Sequence, residues 1–329
     1  MVQKPNANGC SEFTTEGESL LGKYILKRLA VSLVTIFLIA TITFFMMRAI
    51  PGGPFTRERP VPPEIMRVLE AKYNLDAPMY EQYIDYMIGL FTFNMGPSFS
   101  KIGVNVNELI LGGLPASATV GIFATILIIA LGIPFGIISA LKQNKPIDYF
   151  VMFMATLGVT LPSFVVATFI IFFFAGRLGW LPTFGIKEPL GYVGPTIALA
   201  GYSLSFVTRL TRSSMLEVLR QDYIRTARAN GISEWKVISK HAVKNALIPV
   251  VTYIGPMIAS ILTGSFVIER IFLIPGIGAY FVESITNRDY TTIMAITAFY
   301  ATFYIIMVLL VDIAYAFIDP RIRFERGSR

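Results

Sequence analysis

Long apolar runs without a charged residue restrict this chain more than any other feature of its sequence. The longest covers residues 109–141, thirty-three residues in all, and another covers residues 30–47. A backbone in lipid has no water to bond, so such runs cross a membrane as helices, which satisfy their own N–H and C=O groups. Because 54% of the residues are hydrophobic and only 15% are charged, we predict an all-α integral membrane protein.

Six apolar segments are predicted to span the membrane. The run 109–141 is too long for one straight span, so we expect the GGLP near its start to form an entry turn. The third span is expected to bend at Pro162, whose missing N–H leaves a carbonyl group free. The fourth begins with residues 195–208 and is expected to continue as a helix beyond the membrane. The other five predicted spans are 30–47, 117–141, 149–176, 245–268 and 290–311.

The remaining residues are assigned to tails, loops and one small external domain. Between the first and second spans, basic and acidic residues are mixed with many prolines, and helices are expected from Pro63 and after Pro78. This region is therefore predicted to be an external helical insertion. The predicted divisions are a polar, disordered tail 1–22, a first transmembrane helix 23–50, the external subdomain 51–112, a five-helix transmembrane domain 113–318 with a polar loop 217–247, and a C-terminal tail 319–329.

The positive charges indicate how the chain is oriented in the membrane. The formal net charge of +7 could suggest nucleic acid, but the basic residues are concentrated in particular loops. Residues 209–244 contain eight Lys or Arg and three Asp or Glu, and a basic cluster precedes the first span. Cytoplasmic loops carry this excess of Lys and Arg. We therefore predict that both termini are cytoplasmic and that no nucleic acid is bound.

The longest polar interruption in the second half of the chain is residues 221–249, QDYIRTARANGISEWKVISKHAVKNALIP. It is predicted to form two short helices broken at Gly231, since glycine adopts positive φ without a Cβ penalty. Ser233 is expected to cap the second helix. Two interpretations remain open at this point. The loop is either an amphipathic helical pair that another protein grips, or a basic segment lying on anionic lipid.

Several kinds of chemistry have no support in the sequence. There is no G-x-x-x-x-G-K-[ST] pattern, so the chain is predicted to hold no ATP of its own. One Cys and one His make a metal site very unfavourable. A self-contained secondary transporter would show internal repeats and midplane ion sites. An intramembrane enzyme would need a nucleophile and a base, and neither is evident.

A few charged residues near the ends of the spans require separate interpretation. Glu269 and Arg270, at the outer end of the fifth predicted span, are expected to pair with each other or to be solvated, with a gate as the alternative. Asp312, near the inner end of the sixth, is expected to pair with Arg321 or Arg323.

Beyond these physical arguments, RTARANGISEWKVISKHAVKNALIPVV resembles the EAA loop of permease subunits in bacterial ABC importers, in the version of the dipeptide, oligopeptide and nickel family. ERIFLIPGIG, NRDYTTI and DPRIR are similar to the C-terminal pattern of that family. GGPF, after the first span, and SFSKIGVNV resemble the oligopeptide permease B-type subunit most. Arg225, Thr226 and Ala227 stand at the EAA positions and Gly231 at the glycine. His241, Val243 and Lys244 depart from the Ile, Leu and Pro of the generic motif.

This resemblance implies a type I ABC importer transmembrane domain that moves oligopeptides or dipeptides into the bacterial cytoplasm, with nickel or another small solute as the alternative. Its implied partners are a second homologous permease subunit, two cytoplasmic ATPase subunits that hold ATP and Mg, and an external substrate-binding protein. Loop 217–247 would be the coupling loop. Ala227 is expected to allow close approach of the ATPase, and Arg225 and Arg228 to pair with its acids. The implied coupling residues are Arg225, Thr226, Ala227, Arg228, Gly231, Glu234 and Trp235.

Overall fold

The computed structural model describes residues 9–51, 53–55 and 62–318, and the regular elements within these residues are helices. Short π-helical segments lie inside α4, α6 and α9, and a 3-10 turn at Pro189–Tyr192 leads into α7. The helices are α1 Gly9–Ala49, α2 Pro63–Lys72, α3 Met79–Phe91, α4 Val106–Leu141, α5 Pro146–Thr160, α6 Ser163–Arg177, α7 Val193–Leu219, α8 Asp222–Ala229, α9 234–262, α10 Phe266–Ile271, α11 Ile277–Thr286 and α12 Tyr290–Ile318.

The first helix is longer than the sequence predicted. The tail 1–22 was expected to be disordered, but α1 already begins at Gly9; residues 1–8 lie outside the described residues. No proline interrupts the sequence from Gly9 to Ala49. Once a helix is nucleated, each added residue gains a hydrogen bond, so the span can propagate backwards beyond its apolar part. The part long and apolar enough to cross a membrane is Leu26–Ala49.

Helix α4 corrects the predicted second span. It runs unbroken through Val106–Leu141, so GGLP is not an entry turn and Pro115 lies inside the helix. The Asn105 side chain accepts a hydrogen bond from the Asn107 N–H and caps its start. Gly113 serves close contact instead: a Cβ on it would lie 2.8 Å from the backbone nitrogen of Ile277. Glycine here lets α4 and α11 approach closely.

The predicted bend at Pro162 is confirmed, and it divides the segment into two separate helices. Helices α5 and α6 meet at 106° across the break at Leu161 and Pro162. Leu161 has an extended backbone, with φ −80° and ψ 123°, as expected for a residue that precedes proline. The described residues therefore contain five helices able to cross a membrane, or six if the bent pair α5–α6 counts as one span.

Helix α7 lies at the centre of the bundle and packs against α4, α5, α6 and α9. Its small and polar buried residues include Ala198, Ala200 and Thr211. Gly136 of α4 faces it so closely that a Cβ would come within 2.6 Å of the Thr208 carbonyl oxygen. The helix continues to Leu219, as predicted, well past the apolar segment. Small residues on both sides thus bring these helices into tight contact.

The region after the fifth span is helical. Helix α9 ends at Leu262, before the predicted limit at residue 268, and α10 and α11 follow. The expected pairing of Glu269 with Arg270 is wrong. Glu269 is buried and accepts hydrogen bonds from the N–H groups of Gly278 and Ala279, at 2.9 and 3.2 Å, at the start of α11. A carboxylate is favourable at a helix N-terminus because the orphan N–H groups there need acceptors.

The segment that is predicted to be external is fixed to the start of α12 through Asp289. This buried carboxylate accepts hydrogen bonds from the Ser98 hydroxyl, from the Phe99 N–H at 3.0 Å and from the Ser100 hydroxyl at 3.0 Å. It also accepts from the Thr292 N–H at 3.2 Å and so caps α12. Burial alone would raise the pKa of Asp289, but these hydrogen bonds hold it below its usual value. The SFSK and NRDY sequences therefore form one contact.

The expected pairing of Asp312 with Arg321 or Arg323 lies outside the residues whose side chains the structure describes.

Candidate functional site

The polar loop after α7 contains a short helix, α8, at the end of the bundle where the α4–α5 turn also lies. Gln221, with φ −69° and ψ 148°, has an extended backbone that starts this helix. Apolar side chains of α8 lie on one face and charged ones on the other. The helix is thus amphipathic, with its buried side on the protein.

Gly231 ends α8 with φ +73°, which confirms the predicted chain break. Its N–H bonds the Arg228 carbonyl at 3.0 Å, and the Ile232 N–H bonds the Ala227 carbonyl at 3.3 Å. These two bonds form a Schellman motif, which satisfies carbonyls that the helix end leaves free. No described atom lies within 4 Å of the position that a Cβ would take. Glycine is favoured here by its backbone conformation rather than by lack of space.

The second helix of the loop is not short. It starts at Glu234 and continues through a π-helical segment, Val237–Ala242, into Val243–Leu262. Ser233 lies at the N-cap position, but its side chain makes no capping hydrogen bond. The predicted second short helix and the predicted fifth span are therefore one element. A displacement of α8 can reach the bundle through this single helix.

Packing beneath the loop fixes its orientation. Ile224 and Ala227 of α8 are buried against Val237, together with Ala140 of α4 and Met215 of α7. The Ala227 side chain, which is expected to allow close approach of the ATPase, faces the interior of this chain. Its small size instead lets α8 pack closely against the start of α9.

The charged side chains are arranged around the Gly231 turn. Arg228 makes two hydrogen bonds with Glu234, at 2.7 and 3.1 Å, which join α8 to the start of α9. Hydrogen bonding to Glu234 raises the pKa of the Arg228 guanidinium. Arg225 lies 3.4 Å from Asp222 within α8. The paired state of Arg228 was not expected, since sequence reasoning assigned it to partner acids.

The outward surface of the loop combines basic, polar and aromatic groups. Arg225 and Thr226 are exposed, and the Trp235 side chain is 76% exposed. Tryptophan and arginine are enriched at the centres of protein interfaces. Among the described residues, no group of three His, Cys, Asp or Glu is placed to hold a metal ion. The exposed basic, polar and aromatic groups are suited to contact with another protein.

A buried ion pair that the sequence did not predict lies in the bundle beside the polar loop. Asp148 at the start of α5 accepts two hydrogen bonds from Arg212 of α7, at 2.7 and 2.8 Å. It also accepts from the Ser139 hydroxyl of α4 and from the Asn144 N–H at 2.9 Å. The pair thus joins α4, α5 and α7. Asp148 closely follows two lysines, and such a mixture of charges indicates an ion pair. Nothing in the neighbouring sequence identifies Arg212 as the partner.

The chain is similar to known transport proteins over most of its length. The family described as "Binding-protein-dependent transport system inner membrane component" matches residues 132–324, and its N-terminal membrane component matches residues 21–106. The dipeptide transport system permease protein DppB of Bacillus subtilis is 47% identical over 93% of this chain and 99% of its own. The oligopeptide transport system permease protein OppB of Escherichia coli K12 is 44% identical over 92% and 99%, respectively.

Among solved structures, the MetNI methionine ABC transporter in inward-facing conformations has a TM-score of 0.50. It is 16% identical, and the match covers 64% of this chain and 94% of the transporter chain. At this identity the likeness concerns the fold alone. It agrees with the predicted fold, an all-α ABC importer membrane domain.

Proposed function

Since the chain belongs to the family of inner membrane components of binding-protein-dependent transport systems, we propose that it is the permease subunit of an ATP-driven importer of dipeptides or oligopeptides. The observation that carries this proposal is 44–47% identity, over more than nine-tenths of the chain, to permeases named for dipeptide and oligopeptide transport. Nickel as substrate and a self-contained secondary transporter are not favoured.

Coupling to ATP hydrolysis is assigned to the loop around α8. Exposed Arg225, Thr226 and Trp235 would contact a cytoplasmic ATPase, while Gly231 and the Arg228–Glu234 pair fix the angle between α8 and α9. Because α9 enters the bundle without interruption, movement of the ATPase would displace the bundle helices as rigid bodies. Ala227 contributes by packing α8 onto the bundle rather than by contacting the ATPase.

The partners of this subunit follow from the same assignment. They are a second homologous permease subunit, two cytoplasmic ATPase subunits that hold ATP and Mg, and an external substrate-binding protein. The chain itself is then a transport subunit without an ATPase site. Its location is the bacterial cell membrane, with both termini in the cytoplasm, in agreement with the basic residues of 209–244.

The proposal is tested by deleting the gene and measuring uptake of labelled dipeptides, labelled oligopeptides and nickel in the same strain. We expect peptide uptake to be lost, resistance to toxic peptides to appear, and nickel uptake to be unchanged. Restoring the gene on a plasmid should restore peptide uptake. Loss of nickel accumulation with normal peptide uptake would refute the proposal.

A further inference from the structure

Helix α3 belongs to the segment predicted to be external, yet one of its faces carries exposed apolar side chains. We define the outer stripe as Tyr80, Ile84, Ile88 and Phe91, which recur at helical spacing. These side chains are exposed by 64%, 50%, 56% and 68%, respectively. A row of large apolar side chains on one face of a helix marks a surface that something covers.

The position of α3 beside α1 shows how deep this face lies. The Tyr83 hydroxyl is 2.8 Å from the Thr41 hydroxyl, which itself donates to the Phe37 carbonyl oxygen, so Tyr83 is the donor. The Tyr83 and Tyr86 rings contact the Phe44 ring, with centroid distances of 5.3 and 5.7 Å. Helix α3 is thus attached to the side of a transmembrane helix rather than to a loop above it.

The depth can be estimated from the geometry of α1. Thr41 lies eight residues before Ala49, the end of the candidate span Leu26–Ala49, which corresponds to about 12 Å along a helix that rises 1.5 Å per residue. The hydrocarbon layer is about 30 Å thick. The contact between α3 and Thr41 therefore lies within the apolar layer, below the headgroups of the outer leaflet.

The distribution of apolar and acidic side chains around α3 agrees with this depth. Successive residues are turned by about 100° around a helix, so the outer stripe adjoins the face that packs on α1. The acidic residues Glu81 and Asp85 lie on the remaining side and are exposed. Met87 is buried on the packed face. This is the arrangement of a helix lying at the boundary between water and acyl chains.

The exposed surface of α1 beside this contact is also apolar. Ile42, Phe45 and Met46 of α1 are all exposed, and the Phe45 ring stacks on Tyr83 at 5.7 Å. The outer stripe continues this surface without an intervening charge. We infer that α3 lies in the outer leaflet and that lipid acyl chains cover the outer stripe, while Glu81 and Asp85 face the water. This assignment goes beyond the proposed function and does not depend on what is transported.

The test is photocrosslinking in the native membrane, with the chain produced together with its partner subunits. Benzoylphenylalanine is placed at Ile84 or Ile88, and at Asp85 as the matched control on the same helix. We expect phospholipid adducts, detected by mass spectrometry of the labelled peptide, to be severalfold more abundant at Ile84 and Ile88 than at Asp85.

A second measurement covers the case in which photoreactive residues disturb α3. A nitroxide attached at Ile88→Cys, in a chain carrying Cys10→Ser and reconstituted with its partners, should be more accessible to dissolved oxygen than to a water-soluble nickel chelate. The same label at Asp85→Cys should show the opposite order. Crosslinking of Ile88 to another polypeptide would overturn the inference in favour of a protein partner. Equal accessibility at both positions would overturn it as well.

Discussion

Gly231 shows how one backbone angle determines the angle between α8 and α9. Its φ of +73° costs residues with a Cβ roughly 1–2 kcal/mol, and asparagine and aspartate least among them. Since nothing described crowds a Cβ there, side-chain size alone should matter little.

We expect transport to decrease in the order Gly231→Asn, Gly231→Ala, Gly231→Val, at unchanged membrane abundance. Gly231→Asp has the shape of asparagine, so any further loss relative to Gly231→Asn reports the added charge. The measurements are peptide uptake and the amount of ATPase that co-purifies. Equal and normal uptake in all four variants would show that this angle has no part in coupling.

The Arg228–Glu234 pair can be tested by exchanging its charges. Both side chains are substantially exposed, 41% and 56%, so each single variant, Arg228→Glu or Glu234→Arg, should change stability by less than about 1 kcal/mol. Each should nevertheless reduce peptide uptake, because like charges push α8 away from α9. The double variant restores the pair and should recover most of the uptake. If each residue instead bound the ATPase separately, the double variant would have the lowest peptide uptake of the three.

At this scale the sequence predicted backbone features better than side-chain partners. The break at Gly231 follows from glycine itself. The burial of Ala227 was missed because an amphipathic pattern shows that one face is covered, not by which part of which chain. Glu269 was misassigned because the N–H groups it caps belong to a helix that the sequence did not predict.

Among the elements, α7 is joined to α5 by one buried ion pair, that of Arg212 with Asp148. Removing one member of a buried ion pair costs about 3–5 kcal/mol, and Arg212→Ala should lie near the lower end because its side chain is 23% exposed. Arg209→Ala is the matched control one turn earlier, where the guanidinium makes a 2.8 Å hydrogen bond to the Thr156 hydroxyl. That loss should cost only about 0.5–1.5 kcal/mol.

The measurement is the thermal unfolding temperature of the purified complex in lipid nanodiscs, together with its abundance in the membrane. We expect Arg212→Ala to lower the unfolding temperature and the abundance much more than Arg209→Ala does. The effect of Arg212→Lys should be intermediate, since lysine keeps the charge but loses the bidentate hydrogen bonding. Equal effects at both positions would mean that the buried pair adds no net stability.

The elements were predictable where apolar length determines them and unpredictable where helices continue into water. The break at Pro162 was predicted because proline acts locally. The full length of α4 was not, since its charge-free run was judged too long for one straight span and GGLP was interpreted as a turn. The junction of the polar loop 217–247 with the fifth span was missed because Lys236, Lys240 and Lys244 interrupt the apolar pattern but not the helix.

At the scale of the whole molecule, the loops between the helices lie at two ends of the bundle. Asn144 donates to Asp148 at the end that carries α8 and Trp235. At the other end, the Gly185 N–H donates to the Phe272 carbonyl oxygen at 2.8 Å. The distribution of basic residues predicts that the first end is cytoplasmic.

Single cysteines, introduced after Cys10→Ser, test this orientation. An impermeant thiol reagent added to intact cells, or to spheroplasts where an outer membrane is present, should label Gly185→Cys and Arg288→Cys. It should label Asn144→Cys and Trp235→Cys only after the membrane is opened. Arg59, also predicted to be outside, lies beyond the described residues. Labelling of Trp235→Cys from outside would refute both the orientation and the coupling role of α8.

The contact between Ser98 and Asp289 joins residues 191 positions apart and has a consequence for how the chain is made. At a synthesis rate of about 5–20 residues per second, roughly 10–40 s separate the two residues on the ribosome. In the predicted orientation, the SFSK segment crosses the membrane before its carboxylate partner does. It can dock only when the last turn before α12 has been delivered to the same side.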